Sequence, residues 1–185
     1  MKGLMFLANG FEDTEALSTR DVLIRAGIEM VTASIDENRQ VQSSFGLTLL
    51  ADKPIGVINS LNEFDFLVLP GGGRGTENLY NSNEVDRVIK HFIEKDKLIA
   101  AICAAPSILG RRGYLKGYKY TCFAGCNKGI EDALFTGDEV TVDGNFITGR
   151  SMKYSIPFAL AIVEKLLGSA VKEKVLVGLK GQTEK

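Results

Sequence analysis

The chain has one histidine, three cysteines, no tryptophan and almost no net charge in 185 residues. A formal net charge of −1 provides no electrostatic reason to expect binding to nucleic acid or to an anionic membrane. No apolar run is long enough for a transmembrane helix, and Met1 leads directly into a predicted strand. We therefore expect neither a membrane span nor a signal peptide, and we expect the protein in the cytoplasm.

The cysteines are Cys103, Cys122 and Cys126, too few and odd in number for a disulfide framework. A reducing compartment is expected. A closed zinc site needs about four thiolate or imidazole ligands. The chain offers only these thiols and His91, which is distant in sequence, so we predict no metal site. Cys122 and Cys126 are interpreted as ordinary thiols, with a redox pair as the alternative.

Short apolar segments alternate with amphipathic ones along the chain, as in a parallel sheet that is covered by helices on both faces. Strands are predicted at 4–8, 28–35, 47–50, 64–69, 119–122, 139–142 and 145–148, and in the apolar run that ends at Cys103. Asp13 or Thr14 is predicted to cap a helix that runs to about Ala26. Further helices are predicted at 84–94, from Pro106 onward and at 154–167, with one more after Ser169. The length suits one α/β domain.

Two features make the predicted arrangement more specific. Asp143-Gly144, between the last two predicted strands, is a two-residue hairpin signal. Functional sites of parallel sheets lie beyond the carboxyl ends of the strands. The loops that follow Ala8, Leu69 and Ile102 are therefore expected at one edge of the sheet.

The segment at 97–110, KLIAAICAAPSILG, carries an apolar run that ends at Cys103 among small residues. Pro106 then opens a helix. This is the layout of a nucleophile elbow, in which a reactive side chain stands on a sharp strand-to-helix turn. Free N–H groups and the helix dipole would lower the pKa of such a thiol. The alternative is a buried structural cysteine at the end of a core strand.

The loop after the first strand carries the carboxylates of Glu12, Asp13 and Glu15, which either cap a helix or transfer protons. The loop after Leu69 reads GGGRG at 71–75 and lacks the pattern of a phosphate-binding loop, so nucleotide binding is not expected. Its glycines could turn backbone N–H groups toward an oxyanion. Arg74 either holds an anionic substrate group or is simply solvated.

Cysteine hydrolases usually pair the thiol with a histidine. His91 lies within the helix that precedes the elbow strand, so we expect it at the opposite edge of the sheet. The carboxyls after the first strand are then the remaining proton carriers. A carboxylate close to a thiolate raises both pKa values, so such a pair shares one proton.

Three segments together, GFEDTE at 10–15, LPGG at 69–72 and AAICAAP at 100–106, resemble the ThiJ/PfpI superfamily in its DJ-one (parkinsonism-associated deglycase) branch. Matches at 21–27 and 158–164 extend the resemblance over nearly the whole chain. It implies a flavodoxin-like three-layer α/β sandwich, with 1–185 as one domain that is also similar to class I glutamine amidotransferases. It further implies a homodimer that needs no cofactor.

The resemblance also implies residue roles. Cys103 matches the reactive cysteine of the family and Glu15 its acidic partner, with oxyanion donors at the backbone of Gly72 and Ala104. Arg150 is similar to an arginine near the site across the dimer contact, and Arg25 to one near the dimer interface. Further candidates near the substrate are Gly71, Arg74, Cys122 and Phe123.

Two departures from the family pattern bear on activity. Members with protease or amidase character carry histidine where this chain has Ala104, and the DJ-one branch often has a histidine where this chain has Cys122-Phe123. The departures weaken a peptidase interpretation and leave Glu15 as the proton carrier. They also make Cys122 a candidate second thiol at the edge.

We therefore expect a cofactor-free, cysteine-dependent stress-response enzyme that acts on 2-oxoaldehydes such as methylglyoxal. It would yield a 2-hydroxy acid (glyoxalase III type) or repair a glycated side chain (deglycase type). The alternative is a non-catalytic redox sensor or chaperone-like stress protein that acts through oxidation of Cys103. Amide or peptide hydrolysis is a third interpretation. Similar proteins are often labelled thiazole monophosphate biosynthesis enzymes, but no phosphate-handling motif supports that label here.

Overall fold

A seven-stranded sheet forms the centre of the fold, and the computed structural model describes residues 1–182. The strands are β1 Lys2–Leu7, β2 Glu29–Ser34, β3 Gln40–Gln42, β4 Thr48–Leu50, β5 Lys53–Pro54, β6 Phe66–Leu69, β7 Leu98–Ile102, β8 Lys119–Tyr120, β9 Leu134–Phe135, β10 Val140–Asp143 and β11 Phe146–Gly149. The helices are α1 Asp13–Arg25, α2 Gly73–Asn81, α3 Asn83–Glu94, α4 Pro106–Arg111, α5 Ser155–Leu167 and α6 Ser169–Leu179.

The strand order in the sheet is β10-β11-β7-β6-β1-β2-β5, and every neighbouring pair is parallel except the β10–β11 hairpin. This confirms the predicted mostly parallel sheet with a late hairpin. The hairpin turn lies at Gly144-Asn145, one residue later than predicted, because Asp143 still pairs with Phe146. Strands β3 and β4 form a separate hairpin, and β8 pairs with β9 outside the main sheet.

Helices cover both faces of the sheet, which confirms the three-layer architecture. Successive side chains of a strand point to opposite faces. In β1, Leu4 and Phe6 accordingly join a core beneath α3 and α4, whereas Met5 and Leu7 join a second core beneath α1 and α5. Burial on both faces is why β1, β6 and β7 are continuous apolar runs in the sequence.

The structure corrects two predicted element boundaries and adds one helix that the sequence does not predict. Helix α1 begins at Asp13, but its cap is Glu12, whose side chain accepts a hydrogen bond from the Glu15 N–H at 2.7 Å. The sequence does not predict helix α2, because glycines, which are poor helix formers, open it. Strand β8 ends at Tyr120 and does not reach Cys122.

Within residues 1–182, no helix combines the length and the apolar character needed to cross a membrane.

Candidate active site

Cys103 occupies the sharp turn between the end of β7 and the start of α4. Its φ of 65° lies in the left-handed region, which is strained for a residue with a side chain. Hydrogen bonds on both sides hold it there: its N–H donates to Gly149 O at 2.8 Å and its carbonyl accepts from Phe123 N–H at 2.7 Å. The turn leaves the cysteine partly exposed at the carboxyl edge of the sheet.

Glu15 lies in the first turn of α1 and is 1% exposed. Its Oε2 accepts a hydrogen bond from the Gly71 N–H at 2.9 Å. Its Oε1 has no N–H or O–H partner among the residues that the structure describes. The carboxyl faces the Cys103 thiol, and a hydrogen bond between the two groups influences the pKa of both.

Gly71 makes this encounter possible because it has no side chain. A Cβ on Gly71 would lie 2.6 Å from Glu15 Oε2 and 2.8 Å from Cys103 Cβ. The carboxylate and the cysteine therefore border the same small space, and only glycine leaves it open.

Burial dominates the electrostatics of the pair. It raises the pKa of Glu15 to about 7, against the lowering effect of the hydrogen bond with Cys103, while the negative charge of Glu12 raises the pKa further. Burial also raises the pKa of Cys103, and the charge of Glu15 adds to that rise. The predicted lowering of the thiol pKa is therefore wrong: the N–H groups of Ala104 and Gly72 do lower it, but burial and Glu15 outweigh them.

Once Glu15 ionises, above its pKa of about 7, the pair holds one proton, as the sequence predicts for a close pair. The proton stays on sulfur while Glu15 is ionised and can pass to the carboxyl when sulfur carries the charge. The N–H groups of Gly72 and Ala104 then stabilise the negative sulfur, since both hydrogen-bond it.

Gly72 and Ala104 thus both lie beside the sulfur, just beyond the ends of β6 and β7. Gly72 has a φ of 92°, and a Cβ there would collide with Gly10 O and lie 2.7 Å from the Glu12 nitrogen. The close packing of the first and second loops is therefore what aims the Gly72 N–H at the thiol.

Cys122 lies elsewhere. Its side chain is 0% exposed and belongs to the core beneath α4, so the expected second thiol at the edge is wrong. Burial, together with the charge of Cys126, raises the pKa of Cys122 to about 12. The next residue, Phe123, donates its backbone N–H to Cys103 O, and its side chain projects outward, whereas that of Cys122 points into the core.

Arg150 follows Gly149 at the end of β11 and is bound within its own chain. Its guanidinium donates to Gly137 O at 2.8 Å and to the Tyr154 hydroxyl at 2.6 Å. Arg25 is exposed on α1, where it pairs with Asp21 at 2.6 Å. The roles expected for Arg150 and Arg25 at a dimer contact stay predictions.

His91 lies in the last turn of α3, just before β7 begins, and thus at the opposite edge from Cys103. The one histidine of the chain is therefore remote from the thiol. Within the described chain, no three side chains of the histidine, cysteine, aspartate and glutamate types converge as a group that could hold a metal ion.

Sequence reasoning misses two residues that support the site. Gly10 packs against both Gly72 and Arg74, and Gly149 accepts the hydrogen bond of the Cys103 N–H. A glycine shortly after or at the end of a strand is the available signal for each, since close backbone approach excludes a side chain.

The comparison with known proteins identifies the family of the chain. The family model described as the DJ-1/PfpI family matches residues 1–165. The chain belongs to the DJ-1/PfpI family. Among curated relatives, the Parkinson disease protein 7 homolog of Danio rerio is 35% identical over 181 residues, covering 94% of each chain. Protein DJ-1 homolog B of Arabidopsis thaliana is 39% identical over 167 residues, which are 89% of this chain and 38% of that protein.

Solved structures of the DJ-1/PfpI family share the fold. The structure of oxidized DJ-1 from Toxoplasma gondii superimposes with a TM-score of 0.92 at 32% identity and covers 97% of both chains. The α/β sandwich expected from the sequence is thereby confirmed as the fold of this family.

Proposed function

We propose that this DJ-1/PfpI member is a cofactor-free enzyme that converts 2-oxoaldehydes through Cys103, with Glu15 as its proton carrier. The observation that carries the proposal is a buried carboxyl with a pKa of about 7 that is hydrogen-bonded to a partly exposed thiol on a strained turn. A group with a pKa near the working pH is suited to both accept and return a proton.

In the first step, Cys103 Sγ forms a bond to the aldehyde carbon and its proton passes to ionised Glu15. The carbonyl oxygen becomes an oxyanion, which the N–H groups of Gly72 and Ala104 stabilise. Glu15 then returns the proton to that oxygen, and the product is a hemithioacetal.

In the second step, ionised Glu15 removes the hydrogen of the former aldehyde carbon as a proton and delivers it to the neighbouring ketone carbon. The hydroxyl proton of the hemithioacetal moves to the ketone oxygen, so the former becomes the thioester carbonyl and the latter a hydroxyl. The aldehyde carbon is oxidised and the ketone carbon reduced, so no external redox partner is needed. The resulting thioester is hydrolysed by water, which releases lactate when the substrate is methylglyoxal and restores the thiol. A methylglyoxal adduct on a protein side chain would enter the same sequence after it releases the aldehyde.

Lactate formation from methylglyoxal tests this proposal in wild type, Cys103→Ser and Glu15→Gln. Both variants should lose turnover by about 100-fold or more, the usual effect of a proton carrier or nucleophile. Cys126→Ser is the matched control, because Cys126 is also partly exposed but lies outside the pair. Unchanged turnover in Cys103→Ser or Glu15→Gln would exclude the mechanism.

A second function, redox sensing at Cys103, is favoured by the Toxoplasma gondii relative, whose DJ-1 is known as an oxidized structure. Each peroxide molecule would transfer one oxygen to sulfur and leave as water, and protonated Glu15 could donate a hydrogen bond to the sulfinate. After mild peroxide, peptide mass spectrometry should find two added oxygens at Cys103 and none at buried Cys122. Equal oxidation of all three cysteines would contradict it.

The protein is further proposed to act as a cytoplasmic homodimer. The layer formed by α1, α5 and the β3–β4 hairpin, which pack on one core, carries exposed apolar side chains. They are Leu17, Ile24, Phe45, Leu47, Leu50 and Ile156. Large apolar side chains that are exposed on one layer mark a contact surface, which we call the apolar face, and a second copy of the chain is its proposed occupant.

A further inference from the structure

A small cavity of about 280 Å³ adjoins the loops that surround Cys103. It lies between the loop after β1, the turn of the β3–β4 hairpin and the start of α2. Its lining residues are Gly10, Gln42, Ser43, Ser44, Gly46 and Arg74. None of these six is acidic, so the formal charge that they bring to the cavity is the positive charge of Arg74.

The aliphatic part of the Arg74 side chain packs against the protein, whereas its guanidinium is available to a ligand. Its Cβ and Cγ lie 2.6 and 2.9 Å from where a Gly10 Cβ would stand, so the stem lies against the Gly10 backbone. The residue is exposed, and no residue from 1 to 182 forms an ion pair or hydrogen bond with its guanidinium. Arg25, Arg87 and Arg111, in contrast, each bind a carboxylate.

A second donor lines the same cavity. Ser43 is 6% exposed, and its hydroxyl oxygen accepts hydrogen bonds from the N–H groups of Phe45 at 3.3 Å and Leu47 at 3.0 Å. Those contacts leave the hydroxyl proton available to donate. A guanidinium and a buried hydroxyl without a nearby lining carboxylate match the needs of an oxyanion.

The cavity is tied directly to the reactive centre. Arg74 follows two residues after Gly72, whose N–H hydrogen-bonds the Cys103 sulfur. Gly10, the opposite wall, packs against Gly72 and accepts a hydrogen bond from Gly75 N–H at 3.0 Å. One short loop therefore carries both the stabilising N–H and the cation.

We propose that this cavity binds a carboxylate or phosphate on the far end of the substrate while the aldehyde reacts at Cys103. Arg74 is then a specificity residue that selects anionic 2-oxoaldehydes over neutral ones. The inference rests on the proposed function and specifies its substrate class. Helix α2 carries none of the exposed large apolar side chains of the proposed dimer face, whereas the hairpin turn that lines the cavity carries Phe45 and Leu47 of that face. The cavity therefore borders the proposed dimer contact, and Arg74 reaches it from the opposite wall.

Turnover of two substrates of equal chain length tests the selectivity. 4,5-Dioxopentanoate carries a carboxylate and would give 2-hydroxyglutarate, whereas 2-oxopentanal is neutral and would give 2-hydroxypentanoate. The ratio of their kcat/KM values should favour the anion by about tenfold in wild type, as one charge-assisted hydrogen bond at a partly solvated site provides. The ratio should fall to about one in Arg74→Leu and stay largely intact in Arg74→Lys.

Arg87→Leu is the matched control, since it removes an exposed arginine from α3 without touching the cavity. The ratio should not change in this variant. An equal ratio in wild type and Arg74→Leu would overturn the proposal. 3-Phosphooxy-2-oxopropanal is compared with methylglyoxal in the same way. If the cavity prefers a phosphate, Arg74→Leu should lower kcat/KM more for this substrate than for 4,5-dioxopentanoate, and if it prefers a carboxylate, less.

A binding measurement separates this proposal from the proposed enzymatic function. Cys103 is alkylated with N-(3-carboxypropyl)maleimide or with neutral N-butylmaleimide, and the rate is followed on the Cys103 peptide by mass spectrometry. Wild type should react faster with the carboxylate reagent, and Arg74→Leu should lose that preference even if no aldehyde is turned over. Equal preference in both proteins would contradict the cavity as an anion site, whatever the turnover result.

Discussion

The Gly71 N–H donates to Glu15 Oε2 at 2.9 Å, and the missing side chain of Gly71 leaves the space in which Glu15 meets Cys103. One residue thus both orients the carboxyl and permits its contact with the thiol. The arrangement explains how a carboxyl that is 1% exposed is kept beside a cysteine.

Replacing Gly71 with alanine should separate the pair. The new Cβ would lie 2.6 Å from Glu15 Oε2 and 2.9 Å from Ile102 O, and backbone cannot move aside easily. We expect a loss of about 1–3 kcal/mol in the free energy of unfolding, as for other overpacked sites. Methylglyoxal turnover should fall by about 100-fold. Urea unfolding and lactate assays measure the two effects.

Gly73→Ala is the matched control for that variant. A Cβ at Gly73 meets no atom within 4 Å, and its φ is not positive. Its free energy of unfolding should change by less than about 1 kcal/mol, because alanine is favoured over glycine in a helix. Equal losses in the two variants would show that the glycine-rich loop as a whole, and not the Glu15 contact, is sensitive.

Glu15→Gln should change how stability depends on pH. Between pH 4.5 and about 7 the unfolded carboxyl releases its proton while the folded one retains it, so the wild type loses stability as the pH rises. The loss is about 3 kcal/mol across this window, at roughly 1.36 kcal/mol for each pH unit. The variant lacks this loss and should be the more stable protein at pH 7.5. Urea titrations of both proteins from pH 4 to 8 measure it, and parallel curves would contradict a raised Glu15 pKa.

The proposed reaction should follow the ionisation of Glu15. The carboxyl must be ionised to accept the thiol proton, so kcat/KM for methylglyoxal should rise about tenfold per pH unit below the pKa and level off above it. The pKa of about 7 sets that inflection. A rate profile that is flat from pH 5 to 8 would assign the proton transfer to another group.

The left-handed backbone at Cys103 provides a stability test that is independent of activity. Glycine adopts a φ of 65° without strain, so Cys103→Gly should be about 1 kcal/mol more stable than Cys103→Ala. Ala105 has a φ of −62°, and Ala105→Gly should instead destabilise by about 1 kcal/mol or more. Thermal and urea unfolding compare the three variants; the same sign at both positions would argue against strain at Cys103.

A charge on the apolar face should disrupt the proposed dimer. Leu50 is 68% exposed on β4, so Leu50→Lys places a charge in the proposed contact with little effect on the fold. Light scattering after size exclusion should then give the mass of one chain, where the wild type gives two. Leu134→Lys is the control, at 57% exposed on β9 and away from the face. A wild type that already elutes as a monomer would refute the dimer.

Much of the fold can be predicted because its signals are local. Apolar runs such as those of β1, β6 and β7 follow from burial on both faces of the sheet, and each is readable within a few residues. The cysteine between alanines and Pro106 likewise predicts a turn between a strand and a helix. Local glycines mislead in one case: the run before Arg74 favours a loop, yet α2 begins within it.

The proximity of Glu15 and Cys103 also follows from local order along the chain, together with the resemblance to a family. Parallel strands bring their carboxyl ends to one edge, so the loops with Glu15 and Cys103 are expected to meet there. What packing alone decides is the environment of each group. Cys122 directly precedes Phe123, whose N–H donates to Cys103 O, yet the Cys122 side chain lies in the core and not beside the thiol.

The direction in which the pKa of the thiol is shifted shows the same division between what the sequence determines and what packing determines. Residue order near Cys103 places the Ala104 N–H beside the sulfur, and this group does lower the pKa of the thiol. Burial and the Glu15 carboxylate act in the opposite direction and outweigh it, and both come from segments far away along the chain. Residue types and their order specify which groups meet. Desolvation depends on every atom that surrounds them, so only the folded structure decides which group holds the proton.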